Sequence, residues 1–246
     1  MVEVETGHPV ATDSPDHLQP WGTARDNSRN PRFNERLYRL FETPPRVLDL
    51  GCSGGGFVRD CLDDGCFAVG IEGSDYSKRM LRAEWPRLAD RFLFTADITK
   101  PFTVNEQFDV VTAWEVLEHL PREGLEQFCA NVKRHLAPAG LAIFSISSTE
   151  EVIHGTRLHQ TVESKRWWTQ EFARNGLTHL PAFEDYFNGQ YVRGPLQNAP
   201  DSFHLILSTD IAQAPQAATL PMRQRLLDRW YRTRLHRLLR VAVGLR

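Results

Sequence analysis

The sequence predicts an α/β protein, a mostly parallel sheet with helices on both faces. Three observations predict it. Short apolar segments without alternation, such as VLDL, AVGI and LAIFSI, recur between stretches of helical spacing, as buried parallel strands do. The first of them runs through a glycine turn into a helix, VLDLGCSGGGFVRD, from Val47 to Asp60. Acids stand at the carboxyl ends of the first three strands, Asp49, Glu72 and Asp97, the edge where open sheets of this kind take ligands.

Residues 1–30, rich in Pro, Asp, Ser, Thr and Asn, are expected as a flexible segment lying over the domain. Helical spacing starts at Pro31, where Phe33, Leu37, Leu40 and Phe41 share one side, and Pro44–Pro45 stops it. The strand Val47–Leu50 is followed by a helix over Phe57–Leu62, a strand over Ala68–Ile71 and a helix over Tyr76–Ala83. Strands Phe92–Thr95 and Phe108–Thr112 come next. Leu125, Phe128, Cys129, Val132 and Leu136 stripe a helix over Gly124–Leu136, and Leu141–Ile146 is the fifth strand. Periodicity lapses over residues 147–163, a polar loop. A helix opens at Ser164 with Trp168 and Phe172 on one side. Leu177–Phe183 and Phe203–Ser208 form a final strand pair, separated by EDYFNGQYVRGPLQNAP. The domain thus spans residues 31–210, with a linker over 211–221 and a basic amphipathic helix over 222–246.

The 246 residues suffice for one substantial domain. With 41 % hydrophobic and 24 % charged residues and no apolar run near the ~20 needed to span a bilayer, a multi-span membrane protein is excluded. The start, MVEVETGHPVATDSPD, has no apolar segment of signal-peptide type, so a cytoplasmic location is expected. Cys52, Cys61, Cys66 and Cys129 show no paired spacing and are expected as free thiols, with no metal site. Charge is unevenly spread. Residues 222–246 hold eight arginines against Asp228, a net +7, which leaves −9 on the rest of a chain whose total is −2.

The glycine turn alone does not decide between a ligand cradle and an ordinary turn. Its details disfavour a dinucleotide. The pattern GxGxxG is absent, Ser53 standing where the second glycine belongs, and Asp49 would repel a pyrophosphate. An amino acid–nucleoside with ammonium and sulfonium charges would accept that carboxylate. Glu72 suits two ribose hydroxyls, or is a solvated strand end. Asp97 suits an adenine amino group with Ile98 packed on the ring, or is a turn cap.

Together these segments resemble class I S-adenosyl-L-methionine-dependent methyltransferases over about residues 31–210. VLDLGCSGGG resembles the family's first motif, with Asp49, Gly51, Cys52, Ser53 and Gly55 around the methionine part. VGIEGSDYS resembles the second, with Glu72 and Gly73 at the ribose, and TADI the adenine-side motif. FDVVTAWEVLEHL resembles the fourth-strand motif, with Trp114 and Glu115 on the methionine side, and HLAPAG the lead into strand five. The resemblance implies a Rossmann-like seven-stranded sheet with an antiparallel last strand, S-adenosyl-L-methionine as cofactor, and methyl transfer.

Methyl transfer to a hydroxyl also needs a proton acceptor. His119, four residues beyond Glu115, is one candidate, against a role in the cofactor pocket or as a helix cap. His159 in the polar loop is the other, against a loop histidine without catalytic work; its spacing from His154 suggests no metal site. Tyr186, Phe187, Tyr191 and Arg193 either shape an acceptor pocket or pack on themselves. The leading expectation is O-methylation of a small-molecule or glycan hydroxyl. N-methylation, an RNA or protein acceptor, and an inactive cofactor-binding regulatory subunit are the alternatives. The arginine-rich helix would dock on the acidic body or a partner subunit, lie on an anionic membrane at its inner surface, or contact nucleic acid, the least favoured because no base-reading module is present.

Overall fold

The computed structural model describes residues 2–17, 29–197 and 199–231. β1 (Val4–Thr6) comes first, and α1 (Pro31–Tyr38) opens the body. Asn30 caps α1 by accepting the Arg32 N–H at 3.1 Å, Pro31 sits in its first turn, and Phe33 and Leu37 are buried. β2 (Arg46–Leu50) leads through the glycine turn to α2 (Gly56–Asp63), then β3 (Phe67–Glu72). Two short helices, α3 (Tyr76–Arg79) and α4 (Trp85–Leu88), precede β4 (Leu93–Thr95), β5 (Phe102–Val104) and β6 (Phe108–Trp114). α5 (Leu125–His135) runs directly into β7 (Leu136–Ser147). A small hairpin, β8 (Val152–Ile153) and β9 (Thr156–Arg157), leads to α6 (Lys165–Arg174). β10 (Thr178–His179), α7 (Ala182–Phe187), β11 (Ser202–Ser208) and α8 (Met222–Tyr231) complete it.

Seven strands form one sheet in the order β10-β11-β7-β6-β2-β3-β4, and β1 pairs separately with β5. The β2–β3, β3–β4, β2–β6 and β6–β7 pairs are parallel; β11 runs antiparallel to β7 and β10 to β11. One face packs Leu48, Val111 and Phe144 under Phe128, Trp168 and Phe172 of α5 and α6; the other packs Val47, Val110 and Ile143 against Phe33, Phe57 and Trp85. This is the expected Rossmann-like architecture. The chain winds outward from β2 to β4, then restarts at β6 and winds the other way, so the carboxyl ends of β2 and β6 part into a crevice.

Several local expectations change. The helix expected over residues 76–83 breaks into α3 and α4, because Leu81 and Ala83 adopt left-handed φ values of 51° and 47°. The strand expected over 177–183 shrinks to β10, and Pro181 starts α7 instead. The polar loop carries a hairpin whose turn, His154–Gly155, has positive φ at both positions, as tight hairpins favour. Tyr186, Phe187 and Tyr191 pack into the body, Phe187 stacked on Phe33 with ring centroids 5.2 Å apart. The N-terminal segment, expected to be flexible, makes specific pairings: Val4–Thr6 with Phe102–Val104, and further bonds described below. All four cysteines are buried and free. Of the basic helix expected over 222–246, residues 232–246 lie outside the described residues. Among the described residues no helix is long and apolar enough to cross a membrane.

Candidate cofactor and acceptor site

A cleft of about 680 Å³ opens at the carboxyl ends of the parallel strands. Its floor is the turn after β2. Gly51 has φ +73°, and a Cβ there would lie 2.4 Å from Val116 Cγ2, so only glycine leaves the chain this close to the loop after β6. Ser53 also adopts a positive φ, 53°, and its hydroxyl is buried without a hydrogen-bond partner. Gly55, φ +81°, starts α2, where a Cβ would strike Leu93.

Glu72 at the end of β3 holds this turn. Its carboxylate accepts the Ser53 N–H at 2.7 Å and the Ser74 N–H at 3.1 Å. Burial pushes its pKa up, while these two N–H groups pull it back. Asp97 after β4 accepts the Thr99 N–H at 2.8 Å and the Thr99 hydroxyl at 2.6 Å, so the turn-cap role is real, and it lines the cleft with Ile98 as well. Trp114 ends β6 with its indole N–H buried and without a partner. Glu115 takes a left-handed φ of 57° and accepts the Ser202 hydroxyl at 2.5 Å.

The expected residues therefore divide. Gly51, Ser53, Glu72, Gly73, Asp97, Ile98, Trp114, Glu115, His119 and His159 line the cleft. Asp49, Cys52 and Gly55 do not. Asp49 is buried below the turn, where it accepts the Thr112 hydroxyl at 2.7 Å. Cys52 packs its thiol under Gly70, and Gly55 serves the turn through its backbone. A glycine cradle with buried unpartnered polar atoms at Ser53 Oγ and Trp114 Nε1, flanked by Glu72 and Asp97, fits a ligand that offers an amino acid, a ribose and an adenine.

At the other end of the cleft the loop after β6 meets the segment after β7. Glu118 is fully buried. Its Oε1 accepts the Ser147 N–H at 3.1 Å, while Oε2 has no partner. Burial, with the nearby Glu115 charge, raises its pKa to about 8 against a partial offset from His119. The Glu118 carbonyl accepts the N–H groups of Gln160 at 2.6 Å and Thr161 at 2.9 Å, which draws His159 alongside His119. The two rings meet edge to face with centroids 4.7 Å apart. His159 Nδ1 donates to the Thr149 carbonyl at 2.5 Å, so its neutral form presents Nε2, which lies 3.3 Å from a Glu151 oxygen. His119 Nδ1 lies 2.7 Å from Asp16 Oδ2. Burial opposes the charged His119, but the Asp16 and Glu118 carboxylates outweigh it and the pKa moves up. Oxygen or nitrogen atoms of Glu118, His119 and His159 all lie within 4.8 Å of one another.

Sequence reasoning laid the N-terminal segment over the domain but missed how it pairs to form a roof. Residues 8–17 cross the strand ends: Ala11 N–H donates to the Gly73 carbonyl at 2.8 Å, Asp97 N–H donates to the His8 carbonyl at 2.9 Å, and the Ser74 hydroxyl donates to the His17 carbonyl. These are mostly backbone bonds and leave no pattern in the sequence. It also missed Ser202 and Thr112 as partners of Glu115 and Asp49; a polar residue inside an otherwise apolar strand was the available signal for Thr112.

Comparison with known proteins agrees with this geometry. The family described as "Methyltransferase domain" matches residues 24–199. The chain is 35 % identical over 80 residues to the mitochondrial ubiquinone biosynthesis O-methyltransferase of Candida albicans, covering 30 % of this chain and 24 % of that protein. It is 28 % identical over 133 residues to the malonyl-[acyl-carrier protein] O-methyltransferase of Enterobacter lignolyticus, 54 % of this chain and 51 % of that one. The chain thus spans between a quarter and half of the length of these curated relatives. Among solved structures it is similar to the 1,6-didemethyltoxoflavin-N1-methyltransferase of Burkholderia thailandensis, TM-score 0.56 at 16 % identity, covering 81 % of this chain and 84 % of that one, which carries S-adenosylhomocysteine. A glycopeptide N-methyltransferase aligns with TM-score 0.52 at 18 % identity, over 74 % of this chain and 90 % of that one. At these identities the structures speak for the fold, and the family match carries the assignment: the chain belongs to the methyltransferase-domain family.

Proposed function

We propose that this chain methylates a hydroxyl group of a small molecule or glycan-type acceptor, with His119 and His159 handling the acceptor's proton. The observation that carries the proposal is the paired imidazoles at the acceptor end of the cleft, one with Nδ1 fixed by the Thr149 carbonyl and the other with Nδ1 2.7 Å from Asp16 Oδ2. The cofactor supplies a methyl carbon activated by its sulfonium. Gly51, Ser53 and Glu72, which line the cleft, would hold the methionine and ribose parts, Asp97 and Ile98 would hold the adenine, and Trp114 would wall the site against water. As the methyl group is transferred to the acceptor oxygen, the hydroxyl's proton would pass to Nε2 of His119 or His159. Asp16 would stabilise the imidazolium formed at His119. O-methyltransferases among the curated relatives support the hydroxyl; the N-methyltransferases among the structural neighbours keep an amine as the alternative.

A second reading rests on the same cluster. Glu118, His119 and His159 offer two nitrogens and a carboxylate at spacings a divalent cation could draw together, and Glu118 Oε2 is buried without a partner. Such an ion would supply Lewis-acid polarisation of the acceptor hydroxyl. Transfer of a tritiated methyl group to cell-extract fractions identifies the acceptor. His119→Ala and His159→Ala should each lower turnover while S-adenosylhomocysteine affinity holds; unaltered turnover in both would end the proton-transfer role. Calorimetric titration with magnesium, manganese and zinc salts separates the second reading from the first, since only an ion site gives a heat that Glu118→Gln abolishes.

A further inference from the structure

We propose that the outward face of α8 docks on an anionic lipid bilayer. The inference does not rest on the acceptor's identity. Its starting point is Asp228, a lone acid in an arginine-rich stretch, which is fully buried. It accepts hydrogen bonds from Arg32 at 3.0 Å, from Arg36, and from Asn188 at 2.8 Å. These contacts seat one side of α8 on α1 and the end of α7, and so determine which side faces away.

The outward side is apolar where a solvated helix would be polar. Met222, Leu226 and Trp230 follow one another at four-residue steps, with Leu227 beside them, and they are 71 %, 56 %, 40 % and 43 % exposed in the order Met222, Leu226, Trp230, Leu227. Arg223 and Arg225 are exposed on the same helix. Arginine stems can lie along apolar surface while the guanidinium groups reach a headgroup layer. Residues 232–246 add five more arginines and no acid. The rest of the chain, at −9, is repelled by an anionic surface, so electrostatics present this face to it in preference to any other.

A second copy of the chain fits this face less well. A two-fold contact sets this face against itself, and so brings two copies of the same arginine-bearing surface together. A stripe of four side chains on a ten-residue helix also falls short of the roughly 800 Å² per partner of a stable interface. Nucleic acid would engage the arginines and can stack a base on Trp230, but gives nothing to Met222 or Leu226.

The test is flotation of the full-length protein with phosphatidylcholine vesicles, with and without phosphatidylglycerol, alongside Leu226→Asp/Trp230→Asp and Arg223→Ser/Arg225→Ser double variants. All three proteins are first checked for S-adenosylhomocysteine binding, which establishes that the body is folded. The wild type should float with phosphatidylglycerol vesicles and not with phosphatidylcholine alone. The aspartate variant should stay in the dense fraction. The serine variant should partition about 25-fold more weakly, at about fivefold per arginine removed. Wild-type protein that fails to float with the anionic vesicles overturns the proposal. So does equal flotation of the aspartate variant, or light scattering that shows a wild-type dimer which the aspartate variant converts to monomer.

Discussion

Replacing Glu118 by glutamine should remove a pH-dependent burden on the fold. The side chain is fully buried and its pKa stands at about 8, against an ordinary 4.5, chiefly because burial disfavours the carboxylate. A carboxyl displaced upward by that much is about 5 kcal/mol harder to ionise in the folded chain than in the unfolded one. The sign follows from proton counts. Between pH 4.5 and 8 the folded state keeps a proton that the unfolded state has released, so stability falls as pH rises through this window and levels off above it. Glutamine keeps the shape and the acceptor for the Ser147 N–H, but does not titrate. Because the Glu118 charge helps to raise the His119 pKa, the variant's imidazole loses that part of its upward shift, and the difference reports the coupled pair. Urea unfolding followed by tryptophan fluorescence at a series of pH values gives the difference directly. The two proteins should be close at pH 4.5, and the variant should gain on the wild type up to pH 8, by an amount approaching ~5 kcal/mol. Parallel stability curves would refute the reasoning, because they would mean that Glu118 is ionised at little cost.

Three further outcomes are expected. Glu72→Ala removes a carboxylate that holds both Ser53 and Ser74, and calorimetry should show S-adenosylhomocysteine affinity lowered about 10- to 100-fold with the fold retained; unchanged affinity would remove Glu72 from the ribose site. Asp228→Ala leaves the buried Arg36 guanidinium without its carboxylate and should destabilise the protein by about 3 kcal/mol in urea, with Arg36→Met/Asp228→Leu recovering part of the loss. Asp16→Asn should lower the pKa of His119, read by NMR titration of the ring, and should weaken the stabilisation that is present below pH 6.5 and lost as pH rises through the folded value.

The sheet was legible in the sequence because its strands are apolar on both faces, as a doubly covered parallel sheet requires, and alternate with helical spacing. The glycine turn and the acids Glu72 and Asp97 were legible for a related reason. Charge at the end of an apolar strand has few places to go except the crevice. Asp49 carries the same signal but lies below the turn, since Thr112, a neighbour across the β2–β6 pair, gives its carboxylate an internal partner. The break between α3 and α4 was not legible, because Leu81 and Ala83 carry no sign of the left-handed conformations they adopt. Asp228 stood out in the sequence only as the one acid among eight arginines. It is the anchor of α8, and only the position of Arg32 and Arg36 in space reveals that.

The acceptor end of the cleft was the least legible part, and its construction explains why. Glu118 joins two segments that are distant in sequence: its side chain takes the Ser147 N–H at the end of β7, and its carbonyl takes those of Gln160 and Thr161. Asp16, from the N-terminal segment, closes on His119 beside it. The two histidines therefore owe their contact to a buried carboxyl and a backbone carbonyl rather than to any spacing between them. A change in the Glu118 side chain leaves that backbone carbonyl in place but alters the charge beside both rings, so effects at Glu118, His119 and His159 on turnover should fall well short of additive. Asp16 lies outside residues 24–199, the region the family shares. Part of the control over that imidazole therefore comes from a segment outside the matched residues.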